Sequence, residues 1–343
     1  MPRQVHRRVL HAALARAAAV AAPAWAQSTA DVEQPAALIK AAQAEGQLML
    51  YSSSDENQSR TLLAAFEKRY GIKGSFIRFP TGPLMQRFST EYDAKNIRAD
   101  IVSVSSPIPY DQTPDRYITL DRTVLPNLAK WPDFKVAGKY TAWTTDLVAL
   151  IYNTEQLKPG EVPKTWSDLA DPKWKGKFLL TNPTVADNYL GWLDAIERAL
   201  GVEFLRKLAK QETNLTQSGA SGAQMVAAGS VLFNAPTFAS FAAKLLEKKA
   251  PVAVHYPQGP AIVSPRNIAI VAGAPHPNAA KLYLNWLLSE EGMKLTCSIS
   301  PTTLAMAPDS SRGCLAVPEG VAMRFDIPEE RKRMLAKELG VAR

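Results

Sequence analysis

Gln47-Leu-Met-Leu-Tyr-Ser-Ser-Ser-Asp55 is an apolar run of strand length that ends in a cluster of short hydroxyl and carboxylate side chains. Immediately after it, Glu56 to Tyr70 repeats apolar residues at helical spacing, with Leu62, Leu63, Phe66 and Tyr70 on one face, and Gly71 stops the pattern. Ile72–Phe79 then reads as a second strand, Thr81-Gly82-Pro83 as a turn and Leu84–Ala94 as a helix. Ala99–Val104 is a third strand, closed by Ser105-Ser106-Pro107. Strands alternating with helices at this spacing predict right-handed βαβ units on a mostly parallel sheet, an α/β fold.

The middle of the chain repeats that grammar. Asp146–Tyr152 and Lys177–Leu180 are strands, Thr165–Leu169 starts a short helix, and Asn188–Leu200 is a longer one. Ser218–Gly222 opens a helix ending near Gly229, and Val231–Phe233 is a strand. Thr237–Lys249 reads as a helix with Phe238, Phe241, Leu245 and Leu246 inward. Pro251–His255 and Ala261–Ala272 are late strands, and Asn278–Leu288 and Glu329–Leu339 late helices. The pattern predicts two lobes, 47–145 with 262–310 and 146–261 with 311–343. Two chain crossings, near 146–152 and 256–262, form a hinge, and residues 27–46 supply a linker and the start of the first helix.

The N-terminus has the layout of a cleavable export signal. Arg7-Arg8 opens a basic region, Val9–Ala24 is mostly alanine with leucine and valine, and Ala24-Trp25-Ala26 is a small-x-small cleavage site. Residues 1–26 are therefore expected to be removed by a Sec route, or by a twin-arginine route given the arginine pair. Their loss takes away Arg3, Arg7, Arg8 and Arg16 and no acid, so the formal charge falls from +8 to +4, with 36 basic residues against 32 acidic ones. That mild balance suits an anionic small solute. There is no Lys/Arg stripe interleaved with aromatics, so nucleic acid is not an expected partner. In an oxidising compartment the two cysteines, Cys297 and Cys314, read as a disulfide. Nothing in the sequence calls for more than a monomer.

In open α/β sheets, ligands bind beyond the carboxyl ends of the strands, where helix N-termini point. That rule selects Ser53, Ser54 and Asp55; Thr81 and Gly82; Ser105 and Ser106; Thr181, Asn182 and Thr184; Ser218, Gly219 and Ala220; and Asn234 and Thr237. Each stretch has an alternative reading as a plain helix cap. Together they would aim hydroxyls and unpaired N–H groups at a carboxylate, phosphate or phosphonate. Arg87 and Arg266 are candidate countercharges, because a guanidinium grips such anions bidentately. Tyr256 is a candidate aromatic wall, as is Tyr189, for which core packing is the competing reading. Enzyme signatures are missing: no G-x-S-x-G elbow, H-E-x-x-H or P-loop occurs. The histidines beyond residue 26, His255 and His276, are too far apart to predict a metal site, and His276 between prolines reads as exposed.

Several of these stretches, in the same order, resemble the ferric-iron-type periplasmic binding proteins. They are Gln47–Asp55, Leu63–Ile72, Ala99-Asp-Ile-Val102, Thr165-Trp-Ser-Asp-Leu-Ala-Asp-Pro-Lys-Trp-Lys-Gly-Lys177, Pro275-His-Pro-Asn-Ala-Ala-Lys281 and Leu287-Leu-Ser-Glu-Glu-Gly292. The resemblance implies a two-lobed, type II (Venus flytrap) fold. It also implies a periplasmic location and delivery of a solute to the permease and ATPase of an ABC importer. Family members that bind Fe³⁺ directly carry adjacent tyrosines where this chain has Pro236 and Thr237. A histidine seen after the first strand in some relatives is replaced around Asp55, and a glutamate of the next loop falls on Gly82. The expectation is thus a small organic anion, with no cofactor and no metal. An iron(III) or iron–chelate carrier and a ligand-dependent periplasmic sensor are the alternatives.

Overall fold

The computed structural model describes residues 34–131, 138–299, 303–305 and 321–341. The predicted export signal and Cys314 lie outside the described residues. From the N-terminus the elements are α1 (Ala36–Glu45), β1 (Gln47–Ser52), α2 (Glu56–Tyr70), β2 (Lys73–Arg78), α3 (Thr81–Asp93), β3 (Ile101–Val104) and α4 (Ile108–Gln112). The middle holds β4 (Thr141–Asn153), β5 (Phe178–Thr181), α5 (Asp187–Leu200), α6 (Val202–Ala209), β6 (Asn214–Thr216), α7 (Gly219–Ala227), β7 (Phe233–Phe238), α8 (Ser240–Glu247) and β8 (Val252–His255). The chain continues through β9 (Ile262–Ile270), α9 (Pro277–Leu287), α10 (Glu290–Ile299), β10 (Thr303–Ala305), β11 (Val321–Ala322) and α11 (Glu329–Glu338).

These strands join in the order β2-β1-β3-β9-β4-β7-β5-β6, with β8 and β10 also on β4 and β11 on β9. The βαβ units pair parallel, as β1 does with β2 and β3, and β5 with β6 and β7. The strands that pass between the two groups pair antiparallel: β9 with β3 and β4, and β4 with β7 and β8. The sheet is therefore mixed. Its long member is β4, whose thirteen residues pair with β9 in their first half and with β7 and β8 in their second.

Apolar residues divide the same way. On β1, Leu48 and Leu50 face one cluster with Phe66, Tyr283 and Trp286, while Tyr51 faces another with Leu84, Phe88 and Tyr110. That alternation is the period-2 pattern of a strand covered on both faces. In the second group Val148, Leu150, Phe178 and Leu180 pack on Trp166, Trp192 and Leu205, and Ile151 points the other way onto Ala223 and Val226. Leu335 and Leu339 of the C-terminal segment join this second core.

Polar contacts pin several helix starts. Asp55 caps α2, its carboxylate accepting from the backbone N–H of Asn57 at 2.9 Å. Thr165 and Asp168 form a capping box at the short 3-10 turn Trp166–Ala170. Glu45 at the end of α1 accepts from the N–H groups of Asn278 and Ala279, at 3.1 and 2.8 Å, and so closes the start of α9.

Four sequence expectations change. Thr81–Pro83 is the first turn of α3 rather than a separate turn, since a proline at the third helical position needs no N–H there. Thr237 and Phe238 belong to β7, not to the following helix, which begins at Ser240. The apolar Phe238 served strand and helix patterns equally, and Leu246, expected inward, is 47% exposed. His276 is tied down rather than loose: its N–H donates to Asp100 Oδ1 at 2.7 Å and its Nδ1 lies 2.9 Å from Oδ2. Helices α4, α6 and α10 were not anticipated.

Candidate ligand-binding cleft

The carboxyl ends of β1 and β2 and the starts of α3, α5 and α7 converge on one cavity of about 40 Å³. Its lining includes Ser53, Arg78, Thr81, Ser105, Tyr189, Ser218, Gly219 and Arg266. Arg266 enters from β9, the strand that returns from the second group to the first.

Two guanidiniums meet here under different conditions. Arg266 is 5% exposed and forms a buried ion pair with Asp146 on the neighbouring β4. Its Nη1 donates to Ser54 Oγ at 3.0 Å, and its Nε has no protein acceptor. Arg78, the last residue of β2, is half-buried and donates from Nε to the Ser54 carbonyl at 3.4 Å. No carboxylate among the described residues lies within ion-pair distance of it. Burial raises the Asp55 carboxyl above the ordinary carboxylate range, against the pull of the Asn57 and Gln58 amides and of Arg78 and Arg266. Tyr189 is pushed well up by burial, so it stays a neutral phenol. Its hydroxyl accepts from the Gly219 N–H at 3.2 Å.

Small residues make the close approach possible. A Cβ on Gly219 would stand 2.6 Å from the Tyr189 hydroxyl and 2.7 Å from Thr237 Oγ1. One on Gly222 would stand 2.5 Å from the Asn234 amide nitrogen. Both distances are prohibitive, so α7 packs against Tyr189 and β7 only because these positions are glycine. Ser53 Oγ and Thr237 Oγ1 are buried with no protein partner.

The sequence-selected residues fall into three groups. Ser53, Thr81, Ser105, Ser218, Gly219 and Arg266 line the cavity. Beside it, Thr81 and Gly82 with Asn182 and Thr184 line a wider groove of about 1210 Å³. The others stand outside the cavity lining. Ser54 and Asp55 hold Arg266 and cap α2. The backbone N–H of Ile108 donates to Ser106 Oγ at 3.4 Å. Thr181 Oγ1 bonds Asn234 Oδ1 at 3.2 Å inside the sheet. Ala220 follows Gly219 in the first turn of α7, and Tyr256 follows β8, outside the cavity lining. Arg87 is a correction: it points along its own helix, bonding Glu91 at 2.9 Å and lying over the Tyr51 ring, because Glu91 stands four residues on. Arg78 was missed, although a basic residue at the carboxyl end of a strand was the available signal. Tyr189, weighed as core, lines the cavity as well.

The sequence of residues 61–311 matches the family described as bacterial extracellular solute-binding protein. The chain is 24% identical over 295 residues to a putative 2-aminoethylphosphonate-binding periplasmic protein of Salmonella typhimurium, covering 82% of this chain and 80% of that one. It is 22% identical over 267 residues to the Fe(3+)-binding periplasmic protein of Serratia marcescens, covering 75% and 78%. Its fold superimposes on the substrate-binding protein of an ABC transporter from Agrobacterium tumefaciens with a TM-score of 0.71 at 17% identity, over 87% of this chain and 94% of that chain. The match extends over well more than half of the chain, and the mixed α/β sheet with helix starts converging on a cleft agrees with it: the chain belongs to the bacterial extracellular solute-binding proteins.

Proposed function

We propose that this protein captures a small organic anion between two lobes and hands it to the permease of an ABC importer. The observation that carries the anion is Arg78, a half-buried guanidinium without a carboxylate partner among the described residues, facing the same cavity as Arg266. An anion there gains charge-assisted hydrogen bonds from Arg78, from the Arg266 Nε and from Ser53 Oγ. The aminoethylphosphonate relative supports that chemistry.

The lobes are 47–145 with 262–310, and 146–261 with 311–343. The division of the hydrophobic core supports them. Ligand contacts both lobes only when they close, so binding shifts an existing open–closed equilibrium. The protein works in the periplasm as a monomer after loss of residues 1–26, with Cys297, buried on α10, paired to Cys314. The test is a thermal-shift and calorimetric screen of the mature protein against phosphonates, sugar phosphates, carboxylates and Fe³⁺ with and without citrate. A ligand at a hundred times its Kd stabilises the fold by about 2.7 kcal/mol, a readable shift. Binding of an organic anion with compaction in small-angle scattering supports the reading. Binding of bare Fe³⁺ with a charge-transfer colour, and of no organic anion, overturns it.

A further inference from the structure

Beyond the anion-sized cavity, the wide groove shares Thr81, Val185, Ala186 and Gln217 with it, so the two adjoin. At about 1210 Å³ the groove exceeds the roughly 300–1,000 Å³ typical of small-molecule pockets. Its walls mix polar and apolar side chains, with Met85 and Ile108 on one side and Leu190 and Leu215 on the other forming the apolar part. Leu215 is 39% exposed there. The groove rim is formed by α11, which presents Arg333 and Lys337 one helical turn apart on the same face. Like charges at that spacing repel, and no carboxylate among the described residues lies within ion-pair distance of either. The nearby acids form their ion pairs with other residues, Glu329 with Lys332 at 2.6 Å and Glu338 with Arg206 at 2.6 Å, and act on Arg333 and Lys337 only from beyond that distance. Asp187 is the one acidic residue of the groove lining.

Resting on the cleft reading above, we infer that the solute is an elongated dianion with an apolar spine. One anionic end sits at Arg78 and Arg266, the spine lies along Met85, Ile108, Leu190 and Leu215, and the second anionic end meets Arg333 and Lys337. Charge complementarity and the shared lining of cavity and groove carry this assignment. A short solute such as an aminophosphonate would leave both the four apolar side chains and the two rim cations unused.

The experiment is calorimetry on the mature chain with α,ω-dicarboxylates of increasing length and with the monocarboxylate of matching length for each. The protein is compared with an R333Q/K337Q double variant and with Arg78→Gln. The expected result is a preferred chain length at which the diacid binds about tenfold tighter than its monoacid. The double variant erases that margin and leaves the monoacid unchanged; both rim residues are exposed, so the fold is not at stake. Equal binding of diacid and monoacid at every length, or a margin that survives in the double variant, overturns the inference. Arg78→Gln separates the two levels. Loss of both acids in that variant upholds the anion site even when the rim has no role, whereas retention of both removes the anion site itself.

Discussion

Arg78 and Arg266 face one cavity, but substitution of each should fail in a different way. Arg266 and Asp146 are 5% and 6% exposed and paired to each other. Removing Arg266 alone strands the Asp146 carboxylate out of water, a loss of about 3–5 kcal/mol in such settings. Arg266→Gln should therefore unfold at clearly lower urea concentration with an unchanged m-value. The D146N/R266Q double variant, which leaves no buried charge, should recover most of that loss. Arg78→Gln removes no ion pair, only a long hydrogen bond to the Ser54 carbonyl and a pull on Asp55, so its stability should fall by no more than about 1 kcal/mol. It should instead lose about 1.5–3 kcal/mol of anion affinity, the worth of a hydrogen bond to a charged group, or roughly ten- to a hundredfold in Kd. Urea titration and calorimetry on the same three preparations read both effects. An Arg78→Gln protein that binds its anion as tightly as the parent, or an Arg266→Gln protein as stable as the parent, would refute the division of labour between the two guanidiniums.

Other consequences are testable on the same footing. Gly222→Ala drives a methyl into the buried Asn234 amide and should cost about 1–3 kcal/mol by urea denaturation, while Gly160→Ala, with nothing within 4 Å and an unstrained backbone, should be neutral. Burial pushes the His255 pKa below its ordinary value, more strongly than its hydrogen bond to the Pro163 backbone raises it. The folded state therefore holds His255 neutral. Its stability contribution is full above the unfolded pKa of about 6.5 and is lost as pH falls through the lower folded pKa. The melting temperature of the parent should drop over that window more than that of His255→Gln, and parallel curves would exclude the effect. Asp55 runs the other way, its carboxyl raised by burial. An anion beside Arg78 and Arg266 raises it further, so binding takes up a proton and affinity increases as pH falls through the Asp55 pKa. With a ligand of constant charge, Asp55→Asn, which keeps the helix cap, should flatten this dependence; a slope unchanged in that variant would trace it to another group.

What the sequence disclosed, and what it hid, follows from the range of the forces involved. The strand–helix alternation from Gln47 to Val104 was legible because it is written in local signals: a run of apolar residues, Asp55 as a cap and Gly71 as a stop. The placement of Ser53, Thr81, Ser105, Ser218 and Gly219 around one cavity was legible too, because strand ends and helix starts coincide in an α/β sheet. Side-chain direction was not. Arg87 and Arg78 both flank the same loop, and spacing alone favours neither. The choice is made by Glu91, which draws Arg87 along α3, and by the Ser54 carbonyl, which anchors Arg78 toward the cavity. Phe238 misled for a related reason. An apolar residue fits a strand or a helix equally, and its membership of β7 is decided by pairing with Val148, ninety residues away in sequence. The same pairing brings β7, and with it Thr237, against Gly219, so the error about secondary structure and the uncertainty about the site share one cause. The candidate cavity is built by long-range contacts between segments whose local patterns are individually ordinary. Where its side chains point is therefore set by neighbours that a linear reading cannot supply.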